Sequence, residues 1–353
     1  MSIREQVKRF WRVFLDEKDN LEAALTHQKE QEIQEIVKIL NVYYEECSNS
    51  SLEVALSDDF YELTFHTGQD KNVQLVSTLL KALAPDKVKE KWIINAYLPA
   101  LSEKALHTIL KIQEQEYHPD DFYVYYDLDE ANKSFHVEVY CGAFAHLDAN
   151  KANEIAIYML QLFIGECALE AYIGTINATT TMQSGNAAIL PEFYEMMLDI
   201  IEEKKWPEYN DPTMIYRIYH LQEKIESTDV RQDMKLIFTV HPILISEVLQ
   251  GQLVTYHQFF DYGGEFGFLY YKNNTQNEAD AIYRQQLEKK LNDLFFSAGI
   301  AKSIGGAIGT TYSYIDLAIY DKEAFIKALA KINNRLSINL SYQSFEDSVI
   351  VND

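Results

Sequence analysis

Cysteine is nearly absent: Cys47, Cys141 and Cys167 are the three in 353 residues, widely spaced and in no Cys-x-x-Cys arrangement. Such a set excludes a disulfide framework and a thiolate metal or redox site, and it fits a reducing compartment in which all three stay reduced as small buried hydrophobes. Positive charge is short as well. Lys and Arg number 31 against 54 Asp and Glu, a net charge of -23, which repels polyanions, since binding DNA or RNA depends on cations replacing counterions at phosphates. Nucleic acid is therefore not an expected ligand. Long apolar runs are missing too: the cations of Met1 to Trp11 are followed by no continuous apolar stretch, and no later segment reads as long enough to span a bilayer. The expectation is a cytoplasmic protein. Arg4, Lys8, Arg9 and Arg12 lie opposite the aromatics of the first helix and would suit a membrane surface, but the acids from Asp16 onward oppose anionic lipid.

Catalytic signatures are also wanting. There is no Gly-x-Ser-x-Gly elbow, no cysteine in a cationic context, and the nine histidines form no His-Glu-x-x-His pattern. The run Asp127 to Glu138 resembles a calcium loop but lacks an oxygen ligand at its fifth position and the glycine at its sixth. The glycine cluster Ser303-Ile-Gly-Gly-Ala-Ile-Gly-Thr310 precedes a strand rather than a helix, so it reads as a bulge or reversal at a sheet edge and not as a phosphate cradle. No metal or cofactor is expected.

What the chain does have is acid, and the acid is uneven. Residues 1 to 200 carry 16 cations and 33 anions, whereas residues 201 to 353 carry 15 and 21. The density peaks between Glu114 and Asp148, where nine carboxylates meet a single cation, Lys133. Within that stretch, Asp121 to Tyr140 alternates as two short strands about a polar turn, so side chains two apart share a face. One face holds Phe122, Val124, Tyr126, Phe135, Val137 and Val139. The other holds Tyr123, Tyr125, His136, Glu138 and Tyr140, rimmed by Asp127, Asp129 and Glu130.

Around this hairpin the patterns predict an α+β protein of two domains, 1–186 and 187–353, each a mostly antiparallel sheet with helices packed on one side. Two amphipathic helices open the chain, carried by Ile3, Val7, Phe10, Trp11 and Phe14 and then by Ile33, Ile36, Val37 and Leu40. A hairpin turning at Asp58-Asp59, a strand from Trp92, a helix from Glu103 to Gln115 and a helix from Ala152 to Phe163 follow. The uncharged run Gly174 to Asn186 marks the domain junction. The second half reads as strands near Met214 to Leu221, Lys235 to Val240, Phe259 to Asp261, Phe266 to Tyr271 and Tyr312 to Tyr320, with helices from Glu278 and Lys322.

The segments Phe10 to Phe14, Trp92 to Pro99, the Asp121 to Tyr140 hairpin and Gly165 to Gly174 together resemble the uncharacterised bacterial family known as domain of unknown function 695. The resemblance covers roughly the first half and rests on apolar and aromatic patterns. It implies no active-site residue.

The leading expectation is a non-enzymatic binding protein of the immunity or inhibitor kind, engaging a basic protein through Tyr123, Tyr125, Asp127, Asp129, Glu130, His136, Glu138 and Tyr140. In such proteins surface acids accelerate encounter and tyrosines supply the tight contacts. The rival is a hydrolase-like site assembled from His257, Asp261, Glu265, Tyr314 and Asp316 beside the second-half glycines, which supply acid, base and hydroxyl groups if they converge. A purely structural role is the third reading.

Overall fold

A computed structural model describes residues 1–57, 60–102, 105–112, 115–221, 229–273, 278–336 and 338–349. The Asp58-Asp59 turn and Glu114 lie outside the described residues. The chain divides into two compact units, one of residues 1–96 with 216–353 and one of residues 97–215. The second is thus an insertion in the first, where a junction at 186/187 was expected.

The first unit begins with α1 (Ile3–Thr26) and α2 (Glu30–Ser48). A capping box starts α1, with the Ser2 hydroxyl accepting from the Glu5 amide and the Glu5 carboxylate accepting from the Ser2 amide. Its apolar stripe, Ile3, Val7, Phe10, Trp11 and Phe14, is buried as the spacing predicts, and each such side chain contributes about 1.5–3 kcal/mol by leaving water. A small sheet follows, in which β1 (Leu52–Ser57) pairs antiparallel with β2 (Phe60–Phe65). Then α3 (Lys71–Ala82) and α4 (Asp86–Lys89) lead to β3 (Trp92–Asn95), parallel to β2.

In the inserted unit the described part of the helix expected from Glu103 to Gln115 holds a strand instead, β4 (Leu110–Ile112), antiparallel to β5 (Gln115–Tyr117), while Glu103, Lys104, Gln113 and Glu114 lie outside the described residues. The hairpin β6 (Phe122–Asp129) and β7 (Ser134–Cys141) follows, then α5 (Ala149–Tyr172), β8 (Ile173–Thr179), β9 (Ala187–Ile189) and α6 (Leu190–Glu203). The strands run in the order β8-β7-β6-β9. The run Gly174 to Asn186 is therefore an edge strand and its loop. It is poor in apolar residues because an edge strand with one open face needs few, and no boundary falls there. By length and apolarity α5 could cross a membrane, which the sequence reading missed, and most of its apolar window is buried. Phe163, Leu160, Met159 and Ile155 fill this unit's core with Phe122, Val124 and Phe135.

The chain returns to the first unit through β10 (Arg217–His220), β11 (Met234–Thr239), α7 (Pro242–Leu249), α8 (Val254–Asp261) and β12 (Glu265–Lys272). It ends with α9 (Glu278–Ser297), β13 (Ala301–Gly309), β14 (Tyr312–Ile319), α10 (Lys322–Asn333), β15 (Ser341–Ser344) and α11 (Phe345–Ser348). Phe259 to Asp261, expected as a strand, belongs to α8, because Thr255, Tyr256 and Phe259 recur at helical rather than alternating spacing and are the residues buried. The six strands form one antiparallel sheet in the order β10-β11-β13-β14-β12-β15. In this sheet helices cover both faces. Phe266, Phe268 and Tyr314 pack toward α1, α3 and α8, while Leu269, Ile315 and Leu317 pack toward α9 and α10. One-sided cover holds in the inserted unit, where α5 and α6 share a single face of the four-stranded sheet.

The glycine cluster lies in β13, at the centre of the six-stranded sheet and not at its edge. A register shift between Ser303 and Gly305 marks the bulge. Gly305 sits at φ +135°, and a Cβ there would strike the Phe238 carbonyl; one on Gly306 would meet the Tyr314 carbonyl and the Arg284 guanidinium. The glycines admit close backbone approach, not phosphate.

Candidate functional site

The β6/β7 hairpin forms in the register that alternation predicts. Tyr123 stands opposite Tyr140, Tyr125 opposite Glu138, and Asp127 opposite His136. The inward set, Phe122, Val124, Phe135, Val137 and Val139, is buried under α5 and α6, and Tyr126 is half-buried among them. The turn is fixed by Asp129, whose carboxylate accepts from the Asn132 amide at 3.0 Å and the Asn132 side chain at 2.7 Å, and by Lys133 at φ +55°. Those bonds from Asn132, with a smaller effect from His136, hold the Asp129 carboxyl below its usual range.

The outward set lies on the face without helices. Tyr123 is 36% exposed, Asp127 is exposed, and Tyr125, His136, Glu138 and Tyr140 are half-buried. The Tyr123 and Tyr140 rings tilt together at 6.4 Å. On one flank β8 runs parallel to β7 and places Thr175 beside His136, their Oγ1 and Nδ1 atoms 2.8 Å apart, and Asn177 beside Glu138. The loop after β8 folds over this corner: the Gln183 side chain donates to Glu138, closing a pocket of about 200 Å³ lined by Tyr125, Asp127, His136 and Glu138. Some acids are already engaged. Glu130 is paired with Lys204 at 2.5 Å, and Asp129 lies 3.6 Å from His136 Nε2. Among the described residues neither Lys nor Arg stands on the strands of this face. All eight residues expected for partner binding therefore belong to one hairpin: six line its open face, Asp129 and Glu130 its turn.

The rival set is dispersed through the first unit. Asp316 is fully buried and paired with Arg231 at 2.5 Å. Tyr314, also buried, donates its hydroxyl to Asp233 and accepts from the Arg231 amide at 2.8 Å. Burial, and after it the bond to Asp233, pushes the Tyr314 phenol up. Glu265 stands on the opposite face of the sheet: it follows the alternation of Leu269, while Phe268 is the residue across from Asp316. There it accepts from Tyr342 at 2.6 Å and pairs with Lys322. His257 is exposed on α8, packed edge-on against Tyr256. Asp261 and Glu265 do share a cavity of about 780 Å³, with Glu5, Asp321, Lys322 and Lys327, but His257, Tyr314 and Asp316 are not in its lining.

Sequence reasoning missed the partners that lock these groups. Arg231 lies within 4.7 Å of the Phe268 ring and 4.8 Å of the Phe345 ring. Asp233 accepts from the amides of Thr311 and Tyr312 at 2.7 and 2.9 Å. On the other face Arg284 pairs with Glu288 at 2.5 Å and lies 3.9 Å from the Phe238 ring. The Arg231-x-Asp233 spacing just ahead of β11 was the available signal, and alternation alone could not attach it to the tyrosine-rich β14.

Comparison of the chain with protein-family models, with curated proteins and with solved structures gives no match in any of the three.

Proposed function

We propose that this chain is a non-catalytic binding protein of a reducing, cytoplasmic compartment, and that it docks a basic protein on the Tyr123/Tyr125/Tyr140 face of the inserted unit. One observation carries the reading: a sheet whose core side is filled by α5 and α6 offers on its other side three tyrosines with Asp127, Glu138 and His136, and no Lys or Arg among the described strand residues. Tyrosine buries a large area at small entropic cost and keeps a hydroxyl for hydrogen bonding, which is why it anchors interfaces. The carboxylates supply long-range attraction that raises the encounter rate with a cationic partner and that salt screens. Immunity and inhibitor proteins for basic toxins and nucleases use this combination. We include the resemblance of the first half to domain of unknown function 695 in the proposal, as a kinship that assigns no activity.

The test is affinity capture from native lysate with the intact chain and with a variant carrying Asp120→Asn, Asp121→Asn, Asp127→Asn and Asp129→Asn, at about 50 mM and about 300 mM salt, a span over which screening shortens the reach of surface charge about 2.4-fold. A basic protein retained by the intact chain, released by salt and lost with the variant is the expected result. Equal retention by both chains would overturn the proposal.

A further inference from the structure

The inserted unit also holds a concave site, on the helix side of its sheet, that the tyrosine face does not use. Helix α5 is broken at Gly165, whose φ of +77° and ψ of 163° a residue with a side chain rarely adopts. The segment after Tyr97 runs into the break. The Glu166 amide donates to the Leu98 carbonyl at 2.9 Å, the Leu101 amide donates to the Leu162 carbonyl at 3.2 Å, and a Cβ on Gly165 would collide with the Pro99 and Ala100 backbone. A local distortion of this kind costs free energy that the surrounding structure must supply. Here it opens a pocket of about 460 Å³, within the range of small-molecule sites.

The pocket is walled by Tyr97, Tyr172, Tyr194 and Tyr209, with Glu202 and Glu208 exposed at its rim. Two of the tyrosines fasten the loop beyond α6. Tyr172 donates its hydroxyl to the Pro207 carbonyl at 2.7 Å and accepts from the Tyr209 amide at 3.1 Å, and Tyr97 donates to the Asn210 carbonyl. Their hydroxyls being committed to backbone, what they can offer a ligand is ring surface, held in place before anything binds. Burial raises the phenols of Tyr97, Tyr172 and Tyr194, so these rings stay neutral across the physiological range. No Lys, Arg or His belongs to the lining. Ring faces carry partial negative charge and attract cations, and the two rim carboxylates have the same sign preference. An anion would meet no counter-charge there.

We infer that this pocket binds a small organic cation with an apolar body, an aralkylammonium in chemical class, its ammonium held between the tyrosine rings and the Glu202/Glu208 rim. The site stands independently of the docking face.

Cys167 provides a local reporter. It lines the pocket and is half-exposed, whereas Cys47 and Cys141 are buried. The experiment is alkylation of Cys167 in the full chain by iodoacetamide, followed by mass spectrometry, with 4-phenylbutylammonium, 4-phenylbutanol or 4-phenylbutyrate present, and calorimetric titration of the same three compounds. The amine is expected to slow alkylation and to bind about tenfold more tightly than the alcohol, with the carboxylate weaker still, the ratio that a partly desolvated cation over aromatic rings gives. Glu202→Gln with Glu208→Gln, both at exposed positions, should reduce the preference for the amine over the alcohol several-fold. Equal binding of amine and alcohol, preference for the carboxylate, or unchanged Cys167 alkylation would overturn the inference. So would protection by a lysine-containing peptide without protection by the free amine, since the occupant would then be a protein.

Discussion

Tyr314 and Asp316 on β14, and Tyr125 and Asp127 on β6, are the same pair of residue types at the same spacing on the same kind of strand. Their surroundings are opposite. The six-stranded sheet has helices on both faces, so Asp316 is fully buried against Arg231 and Tyr314 is bonded to Asp233. The four-stranded sheet has helices on one face, so Asp127 remains exposed and Tyr125 half-buried. The comparison teaches that an alternating acid-and-tyrosine strand reports which residues share a face and leaves open whether that face meets water. In the covered sheet the acid must find a cation, because an isolated buried charge costs several kcal/mol. In the open sheet water solvates it, and its field reaches outward.

The largest effect that would break this comparison is at Asp316. Asp316→Ala leaves the Arg231 guanidinium buried among aromatic rings without its counter-ion, and the expected loss is about 3–5 kcal/mol in urea unfolding, whereas Asp127→Ala should change stability by no more than about 0.5 kcal/mol. Comparable losses from the two variants would mean that both faces are covered.

A smaller effect comes from His241, buried in the first unit with Nε2 3.0 Å from Asn72 Oδ1 and Nδ1 accepting from the Leu244 amide. Burial, with a minor contribution from Lys71, depresses its pKa to about 3. The folded state therefore resists a proton that the unfolded chain takes up below about 6.5, so the stability this neutral imidazole contributes is present above that pH and is lost as pH falls toward 3. Between pH 7 and pH 5 the loss should be about 2 kcal/mol. His241→Gln should remove that part of the slope, and a wild-type slope retained in the variant would place its origin elsewhere.

A small loss also sharpens the other half of the comparison. Tyr123→Ala combined with Tyr125→Ala should lower stability by less than about 1 kcal/mol, because Phe122 and Val124 hold the strand from beneath. A loss of several kcal/mol would show that the tyrosines are structural and would remove the docking proposal.

Much of this was legible in the chain itself. The hairpin register followed from the alternation of Phe122 to Tyr126 and Phe135 to Tyr140 about a polar turn, and α1 and α2 from three-to-four spacing of Phe10, Phe14, Ile36 and Leu40. Other features depend on distant partners. That residues 1–96 fold with 216–353 is visible only in contacts such as Arg4 with Asp321, or the Tyr320 hydroxyl donating to the Leu75 carbonyl. The burial of Tyr314 and Asp316 depends on α1, α3 and α8, from earlier in the chain, and on Phe345, from beyond β14. Short aromatic runs such as Phe259 to Asp261 suit either period. The break in α5 has a local cause, Gly165, but its reason is the crossing segment after Tyr97.

The insertion also sets an order of events during synthesis. When α3 leaves the ribosome, the groups that will bond it, His241, the Thr255 carbonyl and the Tyr320 hydroxyl, have not been made, and the whole of 97–215 is translated in between. The inserted unit has every strand of its own sheet within that span and can close before the first unit has the means to. Helix α3 thus waits for the partners of its Asn72 and Leu75, and for that interval part of the face it later buries is open to chaperones or to other chains.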